Sequence, residues 1–286
     1  MMAMSVEAAG TRSRDGQHLV QVHDRLRDAI LRGELPPGHA TSQAKLASDL
    51  GMGRTPLREA LRMLQREGLI VSEPNRRVRI AELSSADAEE LYVMRIALEA
   101  VAVRITVPRL RSVDIAELEG LLAQLDHFAA ARDYPGFRRP HRAFHLALVA
   151  ASGPRVCEMI GRLFDHAERY RLAFGANTPE VYEQRRAEHR ALVDAARAGD
   201  GDLAARELIA HYAHTVALVF AALDPGHDLA RLRTTIAIVA PGAEDALAGY
   251  ASSMRAKGAR PAHPRASSTR ATGAKSARIR TPRPRR

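Results

Sequence analysis

Two groups of side chains in this sequence have types and spacings suited to chemistry. The first is basic: Arg54, Arg58 and Arg62 recur every four residues with Thr55 beside them, and Arg76 and Arg77 follow shortly after. An arginine's planar fork matches guanine O6 and N7, each good pair contributing about 1–3 kcal/mol of discrimination. Arginines also neutralise phosphates. The second group is histidine: His141 and His145 are four apart, His189 lies further on, and His211 and His214 are three apart. A neutral imidazole can ligate a metal ion, whereas the usual fate of a single histidine is an ordinary hydrogen-bonded or exposed residue.

The arginines need a scaffold that turns them outward, and residues 43–80 supply one. Leu46, Ala47 and Leu50 line one face of a helix that Gly51 can cap. After a tight turn, Thr55 offers an N-cap hydroxyl and Pro56 a preset φ, so a second helix is predicted from there to about Glu67. At 100° per residue Leu57, Ala60, Leu61 and Leu64 share one stripe, while Arg58, Arg62, Gln65 and Arg66 share the other. Gly68 ends it. Leu69–Val71 and Val78–Ile80 then flank Ser72–Arg77 as a two-stranded wing with a cationic tip, suited to phosphates or the minor groove. Upstream, Leu19, Val22, Leu26 and Ile30 recur at helical spacing as a support helix. A helix with a basic outer face, set against another by a tight turn, is what entry into a major groove requires.

The histidines belong to a different kind of chain. Ser85, read as an N-cap with Asp87 and Glu89 in the first turn, starts a series of long helices placed near 86–107, 113–131, 136–151, 154–175, 179–198 and 203–222. No strand pattern interrupts them. Short links make this an antiparallel bundle, an architecture that builds ligand and metal sites in its interior. The fold class is therefore mainly α: a winged helix-turn-helix of three helices and a small hairpin, then a helical bundle.

Composition sets the remaining bounds. A chain of 286 residues accommodates two ordinary cores, and 4% aromatic content without tryptophan favours helical packing on Leu, Ala and Val. The formal charge of +10 is unevenly placed. Residues 251–286 hold eleven of the 43 Lys and Arg and no acidic residue, leaving 32 basic against 33 acidic elsewhere. Nucleic-acid affinity must then come from a local patch, with the tail as a separate electrostatic contribution. One cysteine, Cys157, excludes an internal disulfide and suggests the cytoplasm. The longest apolar run, Val216–Leu223, is too short to span a bilayer, so no membrane partner is expected.

The first half resembles the winged helix-turn-helix of the GntR family of bacterial transcription regulators. The resemblance rests on Leu46–Ala47, Leu50–Gly51, the run Arg54–Leu61, Leu64, Gly68–Leu69 and Pro74, and implies DNA contacts from Arg54, Thr55 and Arg58. This chain departs from the family pattern at Gly53, where Ser or Thr is usual, and at Arg77, where a wing-tip Gly is usual. A non-Gly residue at positive φ costs on the order of 1 kcal/mol, so the tip either has another shape or trades strain for charge. The second half resembles the FadR-type (FCD) effector domain, through Leu91–Tyr92, Arg95, Leu98–Glu99, Phe144–His145, Ala151–Gly153, Glu188–His189, Gly199–Asp200 and His211. That resemblance implies a divalent metal held by one Asp and three His. His145, His189 and His211 match the histidine positions, and His141 stands where the Asp would be. An all-imidazole set favours zinc or nickel over magnesium or calcium, with one negative charge fewer to hold it. Arg95 is either an ion-pair partner of Glu99 four residues on or, by the same resemblance, a clamp for an effector carboxylate. Asp165, His166 and Arg169 are further candidates to line the cavity.

The sequence thus predicts a homodimeric transcription regulator, a repressor by family habit, with a palindromic double-stranded DNA operator and a small organic acid effector. Its expected division is a disordered arm at 1–16, the DNA-binding unit at 17–82, the effector and dimerisation unit at 83–224, a short extension at 225–250 and a basic disordered tail at 251–286. Two other classes compete. One is a metal-dependent enzyme using the histidines, against which stand the absence of HExxH and of a phosphate-binding Gly-rich loop. The other is a nonspecific DNA binder driven by the tail.

Overall fold

A computed structural model of the chain describes residues 19–175, 178–243 and 246–247. The arm at 1–16 and the tail at 251–286 lie outside the described residues. The chain divides into two compact units, with the boundary between Glu82 and Leu83.

In the first unit, helix α1 (19–31) buries Val22, Leu26, Ile30 and Leu31. Strand β1 (Ala40–Ser42) follows, then helices α2 (Gln43–Leu50) and α3 (Arg54–Arg66) and strands β2 (Ile70–Glu73) and β3 (Arg77–Ile80). The hydrophobic stripe of α3 is as read: Leu57, Ala60, Leu61 and Leu64 are buried against Val22, Leu26, Leu46 and Ile80. Gly51 ends α2 in the left-handed region at φ 64°, its N–H bonded back to Ala47 and Ser48 carbonyls. Only glycine enters that region without strain.

Three local expectations need correction. Thr55 is not the N-cap of α3: the helix begins at Arg54 and Gly53 caps it without a side-chain bond. Pro56 therefore sits in the first turn, where its missing N–H would have no helical partner anyway. Gly at an N-cap costs only a few tenths of a kcal/mol against Ser or Thr, which makes the departure at Gly53 mild. The wing is a three-stranded sheet in the order β1-β3-β2, with Thr41 opposite Val78 and Ser72 opposite Val78 on its other side. Strand β1 is three residues long and has too little periodicity to read. Finally, positive φ falls on Asn75 (61°) and Arg76 (56°), not on Arg77, which begins β3. Asn accepts this conformation, so Arg76 carries the strain.

The second unit comprises α4 (Ser85–Thr106), a 3-10 turn (Val107–Arg109), α5 (Ser112–Ala130), α6 (Tyr134–Ala147), a 3-10 turn (Ala150–Ser152), α7 (Pro154–Phe174), α8 (Pro179–Ala198), α9 (Gly201–Leu223) and α10 (Ala230–Val239). Ser84, not Ser85, caps α4, its hydroxyl accepting from Asp87 N–H at 3.2 Å. Helix α4 packs against α7, α9 and α10, and α8 joins α5 to α9. Its buried set mixes Leu91, Tyr92, Ile96 and Val103 with Arg95 and Glu99. Close approach of α9 is possible because Gly201 starts it: a Cβ there would lie 3.0 Å from the Arg104 Cα. Within the extension, Leu232 and Ile236 of α10 enter the main core. Pro140 interrupts the hydrogen-bond ladder of α6 one residue before His141. Among the described residues, no helix is long and apolar enough to cross a membrane.

Candidate functional site

On the first unit, α3 presents its basic face to solvent. Arg54, Thr55, Arg58 and Arg62 are all exposed. Arg54, Thr55 and Arg58 line one groove with Ser42, Gln43, Asn75 and Arg76, joining the start of α3 to the start of α2 and the wing tip. The backbone fixes this grouping, because Gln43 N–H donates to the Arg76 carbonyl at 3.0 Å. Arg62 and Arg77 are outside the groove. Arg62 donates to Glu59 at 2.8 Å, and Arg77 stands 4.0 Å from Glu73. Guanidinium groups at Arg54, Arg58 and Arg76 thus share one concave, cationic surface, suited to phosphates and base edges.

In the second unit, His141 and His145 from α6, His189 from α8 and His211 from α9 converge, all buried, with one ring nitrogen of each within 4.8 Å of the others. His145 and His141 approach Nε2 to Nε2 at 3.2 Å. One turn of helix separates them, so their rings project from the same side of α6. Burial pushes the pKa of His141, His145 and His189 well down, and His211 adds to the effect on all three. Neutral imidazoles are the form that donates a lone pair to a metal.

A surrounding set of polar groups orients these rings. His211 Nδ1–H donates to Glu188 at 2.7 Å, and His214 Nδ1 donates to the other oxygen of the same carboxylate. Burial opposes ionisation of Glu188, but the two histidine hydrogen bonds outweigh it and hold the carboxyl down at about 2. His145 Nδ1 contacts the Tyr212 hydroxyl at 3.3 Å; that hydroxyl accepts from Arg95 Nη2 at 2.7 Å and donates to Glu99. With Nδ1 of both His145 and His211 committed as donors, Nε2 of each keeps its lone pair.

Donor chemistry and orphaned atoms both fit a dication. His189 Nε2 and His141 Nδ1 are buried without a hydrogen-bond partner. A buried polar atom left unmatched costs about 1–3 kcal/mol, and coordination would recover that for His189. His214 stays outside the set, half-buried on Glu188 and Gln184.

Beside the histidines, Tyr92, Arg95, Phe164, Glu168, Arg171, Arg185 and Thr215 line a small cavity of about 20 Å³, partly open to solvent. Arg95 is deeply buried and bonded to Glu99 at 2.8 Å, so it is a buried ion pair rather than a surface one. Of the three α7 candidates, none lines the cavity: Asp165 is taken by Arg142 at 2.8 Å, and His166 and Arg169 are not among the lining residues. Helix α7 contributes Glu168 and Arg171 instead, bonded to each other at 2.6 Å. Sequence reasoning also missed Tyr212 and Arg185. The one available signal was spacing, since Arg185 precedes His189 by four on α8.

Residues 19–80 match the profile of bacterial regulatory proteins of the gntR family, and residues 90–214 match the FCD domain. An HTH-type transcriptional regulator of Agrobacterium vitis is 34% identical over 153 residues, covering 51% of this chain and 87% of that protein. The HTH-type transcriptional repressor GlaR of Escherichia coli is 30% identical over 183 residues, covering 61% of this chain and 83% of GlaR. Among solved structures, Escherichia coli McbR/YncC aligns with a TM-score of 0.65 at 27% identity, over 71% of this chain and 97% of McbR.

Proposed function

Because this chain belongs to the GntR family of bacterial transcription regulators, in the subfamily with an FCD domain, we propose that its helical unit holds a divalent metal and a small carboxylate-bearing metabolite, and that this binding alters its grip on an operator. The convergence of four buried histidine nitrogens beside an arginine-lined cavity carries the reading.

His141, His145, His189 and His211 would hold the metal, with zinc or nickel fitting an all-imidazole set. When bound, the ion supplies a Lewis-acidic centre for an anionic oxygen of the ligand. Glu188 keeps His211 in the tautomer that offers Nε2, and Tyr212 does the same for His145. Arg95 draws Tyr212 into place, and its own charge is answered by Glu99. This makes Arg95 a positioning residue for the histidines, and a ligand carboxylate would reach it only by competing with Glu99.

On the first unit, Arg54, Thr55 and Arg58 read base edges, while Arg62, Arg76 and Arg77 engage phosphates. A palindromic operator and a homodimer follow from the small number of base pairs that one short helix can cover. Met94, Val101 and Ile105 support the dimer, forming an exposed apolar stripe along α4. Repression is the reading that GlaR supports, with ligand releasing the operator. Release requires that the ligand bind the two dimer states unequally, since equal affinity shifts nothing. Cytoplasmic residence follows from that role.

Thermal-shift screening of the full chain against organic acids, with zinc or with chelator, tests the pocket and the ion together. Stabilisation by an acid only when zinc is present, with loss of the footprint on operator DNA, is the expected result. Acid binding without any effect on the footprint would sink the regulatory link.

A further inference from the structure

Arg185 differs from every other arginine around the cavity. The residue is 4% exposed, it lines the cavity beside the histidines, and both terminal nitrogens, Nη1 and Nη2, are buried without a hydrogen-bond partner. The others are answered. Arg95 has Glu99 at 2.8 Å, and Arg171 has Glu168 at 2.6 Å, the latter carboxylate also lying 3.4 Å from Arg138. What Arg185 has nearby is the Tyr182 ring, 5.7 Å from the guanidinium carbon, which is a weak contact for a full charge.

A buried guanidinium that no carboxylate bonds directly is costly, and burial together with the Arg171 charge pushes its pKa down to about 10 against the more distant pull of Glu168 and Glu188. Four arginines, 95, 138, 171 and 185, face three carboxylates, Glu99, Glu168 and Glu188. One positive charge is left over while the histidines are neutral, and a bound dication would make that three. Arg185 and His189 are four apart on α8, so guanidinium and imidazole project from the same face of one helix. An anionic group of a ligand at the histidines would therefore have a second receptor within the same small cavity.

We propose that Arg185 receives a second anionic group, its two free nitrogens gripping one carboxylate or phosphate fork to fork, so that the ligand of this site is a small dianion rather than a simple monocarboxylate. This rests on the effector-binding reading above and narrows it. The geometry suits either a dicarboxylate or a phosphorylated small molecule, since both offer paired oxygens to a planar fork.

Isothermal titration of the zinc-loaded full chain with butyrate, succinate and glycerol 3-phosphate tests this, alongside Arg185→Gln and Arg185→Lys. At least one dianion is expected to bind the native chain tenfold or more tighter than butyrate, and the identity of that dianion separates the two sources. Arg185→Gln should abolish the preference by weakening the dianion at least tenfold, with butyrate and zinc affinities held within about twofold. The same variant should melt several degrees higher without ligand, because an unanswered buried charge is gone; a residue serving only the fold would give a lower melting temperature. Arg185→Lys keeps the charge without the fork and should retain part of the preference. Equal binding of butyrate and both dianions overturns the inference and leaves the effector reading standing, as does a variant that loses zinc, butyrate and dianion alike. Binding of zinc but of none of the three acids overturns both.

Discussion

His211 Nδ1 and the Glu188 carboxylate, 2.7 Å apart across α9 and α8, form the hydrogen bond that decides which nitrogen of His211 faces the other histidines. Glu188→Gln removes the charge and half of that bridge, since the same carboxylate also accepts from His214. Outer partners of this kind typically alter metal affinity by about 10–100-fold. Competition for zinc against a chromogenic chelator should show a loss in that range, with the secondary structure unchanged by circular dichroism. An unaltered zinc affinity would remove Glu188 from the site.

Arg54 and Arg58 are exposed and reach the same groove, whereas the Arg62 guanidinium is engaged by Glu59. Arg54→Ala and Arg58→Ala should each weaken operator binding by about 1–3 kcal/mol, roughly 5–150-fold, and relax sequence preference at one position of the half-site. Arg62→Ala should weaken all sequences evenly and less. Gel-shift titrations on operator and scrambled DNA separate the two patterns, and melting temperatures should stay unchanged for all three.

Arg76 occupies φ 56° at the wing tip, a conformation that Asn tolerates better. Arg76→Asn should leave stability level or slightly raised, while the slope of log K against log salt falls by about one unit. A wing that does not touch DNA would show no change in slope.

Arg95 and Glu99 are both buried, so breaking one side leaves a charge without water or counter-ion. Glu99→Gln should cost about 3–5 kcal/mol, read as a lowered melting temperature. Replacing both residues, with Arg95→Met and Glu99→Leu, should recover most of that stability, since an apolar pair avoids the desolvation penalty. If the single variant melts like the native chain, the pair is solvated in solution.

Much of this architecture was legible because it rests on local signals. The stripe Leu57, Ala60, Leu61 and Leu64 follows from helical period alone, and Gly51 marks its own turn by requiring positive φ. Helix boundaries near 86–107, 154–175 and 179–198 fall within a few residues of those observed, because caps and breaking residues act over one turn. Reading failed where a competing placement was equally local. Thr55 and Ser85 are both good N-caps by type, yet α3 starts two residues and α4 one residue earlier, as packing of the apolar stripe sets the phase. Strand β1 escaped notice for another reason: three residues hold no period, and their pairing with β3 spans almost forty positions.

The sequence by itself determined which residues carry charge or lone pairs and on which face of which helix they stand, because backbone geometry repeats every few residues. Only the tertiary structure decided which of them meet. His141, His145, His189 and His211 close to within 4.8 Å because α8 packs on α9 while α5 and α7 hold α6 against the same bundle, and the α6–α7 contact draws Asp165 off to Arg142. Burial, and with it the difference between the answered charge of Arg95 and the unanswered one of Arg185, is a property of the assembled bundle. No single helix contains it, since desolvation depends on every neighbour at once.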